Sequence, residues 1–362
     1  MIDSGSPLQL IAVAFLVTTA MLFVLRPVAV ALGLVDTPNH RKQHTGDVPV
    51  IGGIAIFLGV FFAAMTGPEL NRSADVILSM AAVMCIVGAI DDRFDLKPWV
   101  RLLAHVAAAV VMVLGTGYAV ESFGRIVGFA EIDLGFLAAP FTIVACVALV
   151  NACNMLDGMD GLAGGTSLVA FSALAFVAVS AGLSGAALVS CAMVGAIAGF
   201  LIFNVPAHFN RPLRTFMGDA GSTVLGFTLA AVALVLVQPE TAALPPAYVL
   251  WFVPIPIFEL FTSTIRRLLA GHSPFYADNG HFHHRLLAAG FSVRLVFFIY
   301  IVASTAGALL GLAAYRQHAP EWVLFAGFLG FFAVWLLFIR LSPAIGARLP
   351  QGLRRDLEKL HV

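Results

Sequence analysis

The chain has 362 residues, of which 60% fall in the apolar set AVILMFWYC and only 11% are Asp, Glu, Lys or Arg. Ordinary globular proteins carry roughly 25% charged residues, and a mean hydropathy of +0.97 leaves too few charges to cover a water-exposed surface. That excludes a soluble enzyme, a disordered chain and a collagen-like rod, and a net charge of zero, from 20 basic and 20 acidic residues, excludes the basic field of a nucleic-acid partner.

A helix needs about 20 apolar residues to cross roughly 30 Å of hydrocarbon. Eleven runs approach that length: 8–27, 50–67, 75–90, 99–118, 138–153, 163–182, 185–203, 220–237, 247–265, 293–315 and 321–340. The first is expected to be a retained span, because MIDSGSPLQL lacks the basic stretch of a cleavable signal. Between the fourth and fifth runs, 119–137 alternates apolar and polar residues around glycines and reads as a small extramembrane hairpin. In the ninth run Pro254 and Pro256 must break the helix. Glu259 behind them has to face protein or a cavity, since an ionisable group is costly in lipid. His105, in the fourth run, reads as a core hydrogen-bonder, and Cys85, Cys146, Cys153 and Cys191 read as small core residues. The fold class is an all-α polytopic membrane protein with about eleven transmembrane helices. A single integral-membrane domain covers 1–345, and 346–362 is a short basic tail expected to lie against anionic headgroups.

Each connection after an odd-numbered run, up to the ninth, carries a polar motif. The first loop holds Arg41 and Lys42, and Asp91-Asp92-Arg93 follows the third run. Asn154 to Gly161, with Asp157, Gly158 and Asp160, follows the fifth; Asn204 to Asp219 follows the seventh; His281 to Arg285 follows the ninth. With the first loop cytoplasmic, all 20 Lys and Arg except Arg72, Arg125 and Arg316 fall on the cytoplasmic side. The positive-inside rule then puts the N-terminus outside, the C-terminus inside and the hairpin in the periplasm. The outer loops hold nothing comparable, so one active site built from five cytoplasmic loops is predicted.

Each motif has a plain reading beside the chemical one. Asp91-Asp92 is either a helix-end pair near Arg93, Lys97 and Arg101 or one compensated by a divalent cation, because adjacent like charges near low dielectric are costly. Asp157 and Asp160, interleaved with Gly158, Gly161, Gly164 and Gly165, form either a solvated hinge or a loop that cradles phosphate. Asp219 is either a helix cap or a metal ligand. His281, His283 and His284 suit a zinc triad or, with Arg266, Arg267 and Arg285, donors to a diphosphate. Five carboxylates among arginines and histidines fit a metal-bridged diphosphate. The chain contains no GxSxG elbow, HExxH helix or Walker A motif.

The stretches DTPNHRKQHTGDVPVIGG, AIDDRFDLK, NACNMLDGMDGLAGG, FMGDAGST and RRLLAGHSPFYADNGHFHHRL together resemble the polyprenyl-phosphate N-acetylhexosamine-1-phosphate transferases, glycosyltransferase family 4. The resemblance runs from about residue 33 to 290 and implies transfer of a phospho-sugar from a UDP-sugar to a lipid phosphate, with release of UMP. The SPF…HFHH stretch is similar to the bacterial branch that joins UDP-N-acetylglucosamine to undecaprenyl phosphate. The branch that uses UDP-MurNAc-pentapeptide typically has consecutive histidines followed by Phe-Glu, and Phe282 interrupts that run here.

The resemblance further implies a Mg2+ cofactor, replaceable by Mn2+, a homodimer in the lipid of a bacterial inner membrane, and a product that starts an envelope polysaccharide (O-antigen, common antigen or teichoic-acid type). It implies Asp219 as metal ligand with Asn154 nearby, and Asp91 and Asp92 on the lipid-phosphate side. Asp157, Gly158 and Asp160 would line the nucleotide-sugar pocket, Asn204 would contact uridine and Phe216 would stack on uracil. His281, His283, His284, Arg266 and Arg267 would hold the diphosphate or sugar, and Lys42 would assist nucleotide binding. The similar branch usually has Asp where this chain has Glu259. The rivals are a proton-coupled secondary transporter, which predicts inverted repeats and midplane acids, a non-catalytic lipid-carrier scaffold, and the pentapeptide-sugar enzyme.

Overall fold

The computed structural model describes residues 6–36, 47–205, 213–241, 243–273, 280–350 and 353. Among them, nine helices are long and apolar enough to cross a membrane. These are α1 (Pro7–Leu32), α3 (Arg72–Phe94), α4 (Pro98–Thr116), α5 (Ala138–Leu156, entered through a 3-10 turn at Gly135–Leu137), α6 (Leu162–Ser180), α7 (Ser184–Asn204), α8 (Gly218–Leu236), α12 (Val293–Arg316) and α13 (Glu321–Gly346). A shorter apolar helix, α2 (Gly52–Thr66), has 15 residues, about 22 Å at 1.5 Å per residue.

The ninth apolar run is a pair of helices, α9 (Pro246–Phe252) and α10 (Pro254–Leu269), bent by 89°. Pro254 and Pro256 have no N–H to continue the ladder of α9, yet they fit the first turn of α10, where no intrahelical donor is needed. The histidine stretch, read as a loop from sequence, begins a further helix, α11 (Phe282–Ala288). Phe282, His283 and Leu286 are buried on it, and the helix packs on α13 and α12. Non-helical pairing is slight: Val35–Asp36 lies antiparallel to Val48–Pro49. In the expected hairpin Ser122 bridges Asp133, with Phe123 N–H donating to the Ile132 carbonyl at 2.9 Å.

α6, α7 and α8 are enclosed along most of their length, whereas α1 and α13 are mostly open. The open faces carry Leu16, Phe23 and Leu32 on α1 and Trp322, Leu329 and Leu337 on α13. Apolar surface of that extent is unstable in water and at ease in lipid. The protein is a multi-pass membrane protein.

What positions the site is the contact of α2 and α3 with the start of α8. A Cβ on Gly53 would collide with the Gly221 backbone, and one on Gly88 with the Ala220 backbone. The glycines let three helices meet backbone to backbone, as small residues do in membrane bundles. Gly52 and Gly53 N–H donate to the Phe216 and Met217 carbonyls at 2.9 Å each, and Phe216 N–H donates to the Pro49 carbonyl at 2.9 Å. The segment leading into α8 is thereby stitched to the start of α2.

Candidate active site

The first turn of α8 is the centre of the acidic cluster. Asp92 accepts the N–H groups of Asp219 (2.8 Å) and Ala220 (3.0 Å), so a carboxylate from α3 caps α8. This cap needs glycine at 218: Gly218 has φ +74°, and a Cβ there would strike the Asp92 carboxylate and Val50. Asp91 is buried, with one oxygen accepting Leu96 N–H and the other Arg101 Nη1, each at 2.8 Å. The same Arg101 nitrogen lies 3.5 Å from Asp219 Oδ2, so α4 supplies a guanidinium between the two carboxylates.

Asp219 keeps 27% of its side chain exposed, and Asn154, from the end of α5, donates Nδ2 to its Oδ1 and to Ser222 Oγ. Asp157 closes α5 and lies outside the spans. Burial, and then the carboxylates of Asp219, Asp92 and Asp160, hold it well above the usual carboxylate range, against the Gly218 N–H that favours its anion. Asp160 is ion-paired with Arg214, whose guanidinium sits 4.7 Å above the Phe216 ring. Asn204 is buried, and both ends of its amide go to backbone: Oδ1 accepts Gly161 N–H at 2.7 Å and Nδ2 donates to the Thr215 carbonyl at 2.9 Å. It ties the Asp157–Gly161 turn to the segment that carries Phe216.

The histidines join this cluster through Gly158. A Cβ there would stand 2.8 Å from His283 Nε2, so the imidazole packs on the bare glycine. His283 is fully buried, and neither ring nitrogen has a hydrogen-bond partner among the described residues. Burial, then the neighbouring His284 and His281, push its pKa down to about 3, and burial and His281 also lower that of His284. His281 lies across from Glu259, which is buried and accepts from its Nδ1 at 2.9 Å. Arg266 packs over Gly280, and Arg267 is buried on α10. Lys42 lies outside the described residues.

The five aspartates, Asn154, Asn204, Phe216 and the histidines, expected from separate loops, are thus linked through direct contacts. The sequence placed Arg101 near Asp91 and Asp92 but not its contact with Asp219, and it did not indicate the pairing of Arg214 with Asp160. Arg101 lies ten residues beyond Asp91 and Arg214 five before Asp219, but nothing local says which carboxylate each serves. Among the described residues no three His, Cys, Asp or Glu side chains could hold a metal ion alone. The three imidazoles, as placed here, do not converge as three ligands of one ion. A Mg2+ ion needs less, since it commonly takes one or two carboxylates and completes its shell with water and substrate phosphates. Asp219 offers such a hard oxygen donor, and Asn154, whose Nδ2 now faces that carboxylate, would bring its amide oxygen to the same place by turning its amide over.

Residues 75–237 match the family described as Glycosyl transferase family 4. The chain is 36% identical over 346 residues to the undecaprenyl-phosphate alpha-N-acetylglucosaminyl 1-phosphate transferase of Escherichia coli strain K12, covering 95% of this chain and 94% of that protein. The chain belongs to glycosyl transferase family 4. The similarly named protein of Yersinia pestis is 37% identical, with 96% of each chain covered. That of Haemophilus influenzae is 34% identical, over 91% of this chain and 92% of its own length. The family match spans α3 to α8 and so includes all five aspartates, Asn154, Asn204 and Phe216. The histidine helix α11 lies beyond it.

Proposed function

We propose that this protein transfers N-acetylglucosamine 1-phosphate from UDP-N-acetylglucosamine to undecaprenyl phosphate and releases UMP. The observation that carries the reading is near full-length similarity to enzymes named for this transfer, on a chain whose carboxylates converge at the ends of apolar helices. An acceptor phosphate oxygen attacks the β-phosphorus of the UDP-sugar. The bond from that phosphorus to the bridging oxygen breaks, and UMP leaves with the bridging oxygen.

A phosphate monoester has its second pKa near ~6, so the acceptor is already largely dianionic at neutral pH and needs little help from a base. Asp91 supports that view, because both its oxygens are occupied. The difficulty is charge: an anion must approach a diphosphate beside Asp91, Asp92, Asp157 and Asp219. Arg101 neutralises part of that field from its place between Asp91 and Asp219. Asp219 and Asn154 would hold Mg2+ (Mn2+ in its place), which when bound screens the phosphates and steadies the charge that develops on the leaving group. Asp92 fixes the angle of Asp219 through the cap on α8. Phe216 offers a face for uracil with Arg214 beside it, and Asn204 serves uridine indirectly by holding the segment that carries Phe216.

The same reading takes the eleven apolar runs as crossings, with α9 and α10 as one broken span and α2 as a short one. It takes the acidic end as cytoplasmic, the N-terminus as outside, and the protein as a homodimer of a bacterial inner membrane that starts an envelope polysaccharide. The Lys and Arg bias among the loops supports the orientation, and the family resemblance supports the rest. The test is purified full-length protein with Mg2+, undecaprenyl phosphate and a panel of UDP-sugars. UMP and a lipid-linked sugar should appear in equal amounts with UDP-N-acetylglucosamine. No UMP, or faster turnover of UDP-MurNAc-pentapeptide, overturns the reading.

A further inference from the structure

Glu259 is 1% exposed, and a buried carboxylate is costly unless its partners need the charge. Its Oε1 accepts both Phe282 N–H at 3.0 Å and His281 Nδ1 at 2.9 Å, and Oε2 lies 3.3 Å from the same Phe282 nitrogen. A helix start alone could be capped by a neutral serine or asparagine. Here one oxygen fixes the backbone of α11 and the ring of His281 together. Ser263 Oγ, one turn further along α10, stands 3.3 Å from the same Nδ1 and closes the other side. A carboxylate on Nδ1 sets the tautomer and orientation of an imidazole, leaving Nε2 as the working atom. The histidines then divide: His283 is sealed against Gly158, while His281 keeps 13% of its side chain open.

We infer that Glu259 is a positioning residue: it orients His281 towards the UDP-sugar. This rests on the transferase reading above. The test is a double-mutant cycle in the full-length enzyme with Glu259→Ala, His281→Ala and the pair, measuring kcat and KM for UDP-N-acetylglucosamine and for undecaprenyl phosphate. Glu259→Ala should lower kcat/KM for the sugar nucleotide about 10- to 100-fold, the range for losing a hydrogen bond to a charged group. The KM for the lipid should stay unchanged, and the double variant should be no worse than His281→Ala alone. Glu259→Gln, which retains an acceptor oxygen, should lose less, and it carries the same cycle if the alanine variant does not fold. Multiplying losses in the double variant, or an equal rise in KM for the lipid, overturn the inference. Absence of UMP release by the wild type strikes the transferase reading itself, and the inference with it.

Discussion

The helix bundle gathers carboxylates at both ends, and the two gatherings differ in kind. At one end Asp91, Asp92 and Asp219 are tied to Arg101 and to the backbone of α8. At the other, a cavity of about 630 Å³ beneath the 119–137 hairpin is lined by Glu121, Glu131, Asp133 and Glu321, with no Lys, Arg or His in its wall. The first set is held by helices in backbone contact through Gly53, Gly88 and Gly221. The second is carried by the hairpin and the start of α13. What distinguishes the first is rigid placement and a guanidinium among the acids, the features that the proposed transfer needs for a phosphate to enter a part-neutralised field.

The sharpest way to break this contrast is Asp219→Asn. Removing the carboxylate that faces Arg101 and Asn154 should cost at least about 10²–10³ in turnover, the size of a lost transition-state charge contact, and should abolish the response to Mg2+, with expression intact. Full activity with an unchanged Mg2+ optimum would leave Asp219 as only a structural partner of Arg101 and Asn154.

A smaller effect is expected from Gly218→Ala. At φ +74° an alanine carries roughly 1–2 kcal/mol of strain, and its Cβ must displace Asp92 from the α8 cap. Turnover should fall at least about tenfold and Tm by several degrees. Gly330→Ala on α13, where a Cβ meets open space, should alter neither. Equal behaviour of the two variants would contradict the account of the packed end.

Much of this arrangement was legible in the sequence, because its signals are local. Apolar length gave the helices, Pro254 and Pro256 marked the break at α9 and α10, and the clustered Asp and His motifs marked one end. The rest depends on residues far apart in the chain. Arg101 meets Asp219 across 118 positions and Asp92 caps α8 across 127. Glu259 finds Phe282 only because α10 turns after the break. The acidic cavity joins Glu121 to Glu321, two residues 200 positions apart in the chain. The helical start at α11 was hidden for another reason: its seven residues form no apolar run of their own and fold by burying Phe282 and Leu286 against α12 and α13.

A weaker lever is pH. Unfolded histidine titrates near ~6.5, whereas buried His283 is held at about 3. Between those values the unfolded chain binds the additional proton, so stability falls as pH drops through this window and is fully present above it. His283→Phe, which keeps the packing on Gly158 but has no proton to bind, should lose fewer degrees of Tm than the wild type between pH 7 and pH 5, by a few degrees. Parallel Tm profiles would contradict the buried, neutral imidazole.

The smallest effect belongs to the cavity under the hairpin. Glu131→Gln combined with Glu321→Gln should leave transfer within about twofold of wild type, since neither carboxylate touches the ordered cluster. A loss comparable to that of Asp219→Asn would join the two ends into one functional unit.

The most direct measurement places the reaction at one end of the bundle. Full-length protein is reconstituted in sealed vesicles containing undecaprenyl phosphate, and its orientation is scored by labelling a single cysteine introduced beside Arg125 on the hairpin. UDP-N-acetylglucosamine, which does not cross the bilayer, is then added outside. UMP should form in proportion to the molecules whose hairpin faces the vesicle lumen, and the remainder should become active only after permeabilisation. UMP formation in proportion to molecules with the hairpin outside would contradict the assignment of transfer to the aspartate cluster on α3, α5 and α8.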